Sequence, residues 1–201
     1  SRDRVLKAIN HEEPDRVPID LGGSIVTGIM AGVLVRLRRY LGMEGDVKVC
    51  DVFQMLGEVT LDLVERFCID VLPVQGESIS FGLPNRDYKP WTLFDGTPVL
   101  MPGAFEVEVS PEGDWLLHQD GDPRKPVVAR MPKGGFYFDD LSSIRIDPAF
   151  KPPAIESLRH SDWWRVRDGT LRYMQEQARL LRCSTDKALV LLAGGLGVPM
   201  V

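Results

Sequence analysis

Apolar positions fall into short runs whose spacing changes from helical to alternating and back along the chain. Val5, Leu6 and Ile9 recur at helical spacing and the pattern stops at Asn10-His11, before Pro14, which predicts a helix over residues 2–11. Arg16-Val17-Pro18-Ile19-Asp20-Leu21 is brief and carries β-branched residues, so it reads as a strand, and it runs into Gly22-Gly23-Ser24, where the backbone can turn sharply. Met30, Val33, Leu34, Leu37 and Leu41 then place one apolar stripe on a helix ending at Gly42. Met55, Val59, Leu63 and Phe67 repeat every four residues and predict a second long helix, followed by a short apolar strand over Ile69–Val74.

Between about Tyr88 and Asp139 helical periodicity disappears and Pro, Gly and aromatic residues cluster. Asp95-Gly96, flanked by Trp91-Thr92-Leu93-Phe94 and Val99-Leu100-Met101, is the strongest hairpin signal in the chain. A second hairpin is expected where Phe105, Val107 and Val109 alternate before Pro111-Glu112-Gly113, with Trp115 and Leu117 alternating after it. The segment 88–139 therefore reads as an antiparallel insertion, closed by the proline-rich stretch from Pro148 to Pro153. Beyond it, Trp164, Leu171, Met174, Ala178 and Leu181 fit one face of a helix from about Asp162 to Cys183. A last strand, Ala188–Leu192, ends in Ala193-Gly194-Gly195-Leu196-Gly197. Apolar strands separated by amphipathic helices predict an α/β fold with a parallel sheet, either open or part of a (β/α)8 barrel.

Composition narrows the classes. The 201 residues are 44% apolar and 26% charged, with 24 Lys+Arg against 29 Asp+Glu. That suits a packed core and argues against a nucleic-acid partner, whose phosphates require a basic surface. No run approaches the roughly 18 apolar residues of a membrane span, so no membrane association is expected. Cys50, Cys68 and Cys183 are scattered and form no C-x-x-C pair, and they read as buried, reduced thiols of a cytoplasmic protein.

In both parallel architectures ligands bind beyond the carboxyl ends of the strands. This selects Asp20, Gly22, Gly23 and Ser24 after the first strand, Gln75 and Glu77 after the second, and Gly194–Gly197 after the last as candidate substrate-binding positions. Asp20 could accept a proton or hold a polar substrate, or simply cap a turn, while the glycines would let backbone N–H groups approach a carboxylate. Gly194-Gly195-Leu196-Gly197 lacks the Lys-Ser/Thr of a phosphate loop. His11, His118 and His160 have no His or Cys at ligand spacing, so no metal site within the segment is expected, and no cofactor is assigned to it. No Gly-x-Ser-x-Gly elbow and no Cys beside a His supports a nucleophile, and no catalytic residue is assigned. Arg36, Arg38 and Arg39 read as a solvated helix face, Trp163-Trp164 as a packing anchor, and Phe136-Tyr137-Phe138 as an apolar wall or the end of the insertion.

Arg4-Val5-Leu6 followed by Asn10-His11-Glu12-Glu13-Pro14-Asp15-Arg16-Val17-Pro18 resembles the N-terminal signature of the uroporphyrinogen decarboxylase superfamily. Phe67-Cys68-Ile69-Asp70-Val71, the segment Met131–Asp139 and Thr185-Asp186-Lys187-Ala188-Leu189-Val190 extend the resemblance. It implies a (β/α)8 barrel, of which these residues would be the N-terminal portion carrying the hairpin insertion. A full barrel needs about 250 residues, so the remainder is expected after Val201, and this segment alone is expected to be inactive. Decarboxylases of the family carry Arg-Gln-Ala-Gly-Arg-Tyr-Leu-Pro-Glu after the first strand, whereas this chain has Asp20-Leu21-Gly22-Gly23-Ser24-Ile25-Val26-Thr27. Without those arginines a polycarboxylate would lack its convergent cations.

The resemblance therefore implies the methyltransferase-like branch, with methyl transfer between a methyl-corrinoid and a thiol or folate acceptor. Zinc and a corrinoid are implied for the complete enzyme, its partners being a small-molecule substrate, a corrinoid protein and, in assembly, a second copy forming a homodimer. The alternatives are a uroporphyrinogen decarboxylase, releasing CO2 from the acetate groups of a porphyrinogen, and a non-catalytic binding relative of the same fold.

Overall fold

A computed structural model of the chain describes residues 1–141, 154, 156 and 168–191. The first helix, α1, spans Arg2–Ile9, with Asp3 in its first turn and Lys7 in its last, each charge favourable to the helix dipole. It buries none of its residues fully: Val5 packs against the core and charged contacts tie the helix down. Arg4 binds Asp15 through two hydrogen bonds of 2.7 and 2.6 Å and also reaches Asp70. The Arg2 N–H donates to the Asp186 carbonyl at 3.0 Å.

The strand expected over residues 16–21 does not form. Pro18 has no N–H to give a ladder, and the Ile19 N–H donates to the Asp70 carboxylate at 2.9 Å instead of to a neighbouring strand. Arg16 donates to the same carboxylate at 2.7 Å, so the segment is pinned by side chains around one fully buried aspartate. Burial pushes the Asp70 carboxyl up, but the Ile19 N–H, Arg16 and Arg4 outweigh it and hold its pKa below the usual carboxylate value.

The helix expected from Met55 to Phe67 is also corrected. Its first part is a tight turn and a strand, and only Leu61–Arg66 is helical, as α3. Strand β1 (Ile29–Met30) pairs antiparallel with β3 (Leu56–Gly57), which pairs in turn with β2 (Val49–Asp51). Asp51 caps the turn between β2 and β3 by accepting the Gln54 N–H at 2.7 Å, and Met55 takes a left-handed conformation at φ 54°. Met55, Val59 and Leu63 all face the core, so a strand and a helix in succession mimic one helical stripe, while Phe67 is 37% exposed.

Helix α2 (Ala31–Tyr40) follows β1 as its spacing predicts, and the Ala31 N–H donates to the Met55 carbonyl. Strand β4 (Val71–Pro73) lies parallel to β11 (Ala188–Val190), with Val71 opposite Ala188. The long helix before β11 is observed over Asp168–Ser184 and is called α4.

The two hairpins fall where turn chemistry places them. Strands β5 (Lys89–Thr92) and β6 (Pro98–Met101) pair around Asp95-Gly96, where Gly96 supplies φ 80° and the Asp95 carboxylate accepts the Thr97 N–H. Strands β7 (Val107–Val109), β8 (Trp115–His118), β9 (Val127–Met131) and β10 (Asp139–Asp140) form a four-stranded antiparallel sheet. The ladders among residues 89–140 are all antiparallel, and a single parallel bridge ties Leu100 to Lys48. One core joins these layers, running from Leu34, Val49 and Leu63 to Leu117, Met131 and Phe138. The architecture is mixed α/β with several sheets, and among the described residues none closes into a barrel. No helix among them is long and apolar enough to cross a membrane.

Two further expectations change. Cys68 and Cys183 are exposed and Cys50 half-buried, so the three thiols are free but not all interior. Arg38 is buried, not solvated: it binds Thr60 and both carboxylate oxygens of Asp62, and donates to the Glu44 carbonyl. Arg36, by contrast, is an exposed partner of Asp95. Gly194–Gly197, His160 and Trp163-Trp164 lie outside the described residues.

Candidate functional site

A cavity of about 700 Å³ lies beyond the carboxyl ends of β4 and β11. That volume is within the range of small-molecule sites. Its walls include the loop Gly22–Ile25, the β2–β3 turn, the segment Val74–Phe81 after β4, Asp140, and the start of α4 with Thr170 and Met174.

Of the candidates selected from the sequence that lie among the described residues, Gly22, Gly23, Ser24, Gln75 and Glu77 line this cavity. Asp20 does not. Its Oδ1 accepts the Gly23 N–H at 2.9 Å and the Thr27 hydroxyl at 3.0 Å, which is the turn-capping role. The Gly22 N–H donates to the Thr27 carbonyl, closing the same loop. The glycines are demanded by packing: a Cβ on Gly23 would stand 2.5 Å from Asp20 Oδ1, and one on Gly22, at φ 81°, would stand 2.5 Å from Val59 Cγ2. Glu77 is oriented by Thr170, whose hydroxyl donates to Oε1 at 2.6 Å and ties the loop after β4 to α4.

Sequence reasoning missed the opposite wall. The Ser80 hydroxyl donates to Asp51 Oδ2 at 2.5 Å, and its oxygen accepts the N–H groups of Val52 at 3.1 Å and Phe53 at 3.3 Å. All of its capacity is thereby used, so Ser80 pins the β2–β3 turn and is not placed as a nucleophile. Next to it Phe81 stands at φ 61°, its ring edge-on to Phe53 at 6.0 Å and to Phe138 at 6.3 Å. Asp51 at a strand end was a detectable signal, concealed by the helical spacing that begins at Met55. Nothing in the sequence singled out Ser80. Of the aromatic trio, Phe138 is fully buried against Phe105 and Phe81, whereas Phe136 and Tyr137 are exposed.

Cys50 also lines the cavity, and burial, followed by the nearby Glu58 and Asp51, pushes its thiol up to about 12. It is therefore a neutral thiol near pH 7 and a poor nucleophile or metal ligand. Among the described residues no group of three or more His, Cys, Asp or Glu is placed to hold a metal ion. Among the described residues, therefore, no donor set fits the zinc that the resemblance implies for the complete enzyme. His118 is engaged far from any such role, with Nδ1 at 2.6 Å from the Lys125 carbonyl and Nε2 at 3.1 Å from Glu108.

The charge of the lining is one-sided. Asp51, Glu77 and Asp140 contribute carboxyl groups, and the described lining residues include no Lys, Arg or His. The arrangement can bind a small molecule through backbone groups, carboxylates and aromatic surface. No family model, curated protein or solved structure matches this chain.

Proposed function

We propose that the chain is the N-terminal portion of a (β/α)8-barrel methyltransferase of the uroporphyrinogen decarboxylase superfamily, acting in the cytoplasm on a methyl group exchanged between a methyl-corrinoid and a thiol or folate acceptor. One observation supports the choice of branch: the cavity at the ends of the parallel strands is lined by a loop, Gly22–Ile25, that carries no arginine. A porphyrinogen bearing many carboxylates needs convergent cations, which that loop does not supply. The loop in place of the arginine-bearing segment, Gly22–Ser24, offers backbone and a hydroxyl only. In this reading Gly22, Gly23, Ser24, Gln75 and Glu77 form the substrate wall. Asp20 and Thr170 are positioning residues, and no step is routed through a metal held by these residues.

The test uses the whole gene product with methylcobalamin and either a thiol or tetrahydrofolate. Acceptor-dependent demethylation, followed by the absorbance change of the corrinoid, is expected, and Glu77→Ala should lower its rate at least tenfold. Release of CO2 from uroporphyrinogen with no demethylation would overturn the proposal in favour of the decarboxylase. Neither reaction with any acceptor would leave a binding relative.

A further inference from the structure

A second cavity, of about 220 Å³, lies between α2, the tip of the β5–β6 hairpin and strands β8 and β9. Its lining is apolar and flat-sided. Phe94 stacks on Trp115 with ring centroids 4.0 Å apart and an interplanar angle of 25°, and Met55 and Met131 supply conformable thioether surface. At the rim Arg36 pairs with Asp95 at 3.2 Å, so the charges that the described lining carries neutralise each other.

Two backbone choices keep this space as it is. Gly32 sits in the first turn of α2, where alanine is the better helix former. A Cβ at Gly32 would meet Leu93 Cδ1 at 3.6 Å and Asp95 Oδ2 at 3.7 Å, ordinary contacts, so packing does not require glycine there. What the missing side chain leaves is the cavity beside it. Met55 reaches the wall from a left-handed conformation that a non-glycine residue adopts only when its surroundings impose it. The volume exceeds the roughly 150 Å³ of an engineered apolar cavity that holds benzene.

We propose that this cavity is a binding site for an uncharged aromatic molecule of one ring or two fused rings, stacked among Phe94, Trp115 and the methionines. It is independent of the methyl-transfer reading, since it shares none of the residues assigned to the substrate wall. The test is fluorine NMR of 4-fluorotoluene titrated with the chain, with indole as competitor. Saturable line broadening with submillimolar affinity, displaced by indole, is expected. Benzoate should bind at least tenfold more weakly, because its charge finds no free partner. Gly32→Leu, which fills the space from the helix, should lower affinity for 4-fluorotoluene at least tenfold without lowering the melting temperature. If that variant does not fold, Gly32→Ala decides, with about threefold weakening expected. Absence of wild-type binding, equal binding of benzoate, or unchanged affinity in the variant that folds would overturn the proposal.

Discussion

Replacing Asp70 by asparagine isolates the charge that gathers the N-terminal segment. The wild-type carboxylate is fully buried and accepts from Ile19 N–H at 2.9 Å, from Arg16 at 2.7 and 3.2 Å, and from Arg4. An amide keeps the shape but has one accepting oxygen, and its NH2 faces a donor. Removing one partner of a buried ion pair costs about 3–5 kcal/mol. Here the lower end applies, since the Arg16 side chain is 35% exposed and can rehydrate, and Arg4 retains Asp15. Asp70→Asn should therefore destabilise by about 3 kcal/mol at pH 7, read by urea unfolding with an unchanged m value. Because the folded-state pKa of Asp70 is lowered, its contribution is fully present above the unfolded value of about 3.9 and is lost as pH falls through the folded one. The difference between wild type and variant should shrink over that acid range. A loss under about 1 kcal/mol at pH 7, or one that does not change with pH, would refute the assignment of this charge as the anchor.

His118 should titrate above the usual imidazole value in an NMR pH series, because the Lys125 carbonyl and then Glu108 favour its charged form. Its stabilisation is full below about 6.5 and fades as pH rises through the raised folded value, and Glu108→Gln should bring the midpoint down. Ser80→Ala strands the Val52 and Phe53 N–H groups and one oxygen of Asp51, and should cost about 1–3 kcal/mol in chemical denaturation. With a thiol-specific disulfide reagent at pH 8, exposed Cys68 and Cys183 should react fast and Cys50, with its thiol pushed up to about 12, only after unfolding. Three equal rates in the native protein would contradict the structure.

What was legible in the sequence was mostly local chemistry. Asp95-Gly96 dictates a hairpin through its own dihedral angles, α2 follows from one uninterrupted stripe, and β4 and β11 are apolar runs too short for helices. What failed depended on distant partners. Residues 16–21 have strand composition, yet Asp70 claims the Ile19 N–H. Met55 to Leu63 carries a helical period because two different elements face the same core. At the site, Gln75 and Glu77 follow a parallel strand as expected, whereas Gly22, Gly23 and Ser24 reach the same cavity from a segment that forms no strand. The Asp51–Ser80 wall escaped because it is assembled across a chain separation that no local pattern encodes. In the motifs that suggested a family, Arg4, Arg16 and Asp70 meet around one buried carboxylate.

The parallel pair of β4 and β11 joins positions separated by most of the chain, whereas the ladders between residues 89 and 140 join near neighbours. Closing so long a loop costs entropy before any contact repays it. The hairpins are therefore the natural early structure in folding, and the larger cavity, which needs both parallel strands and α4, is completed late. The order has a counterpart at equilibrium. Amide exchange should be faster through β11 than through β8 and β9, so that the wall of the larger cavity opens while the aromatic core beside it stays shut.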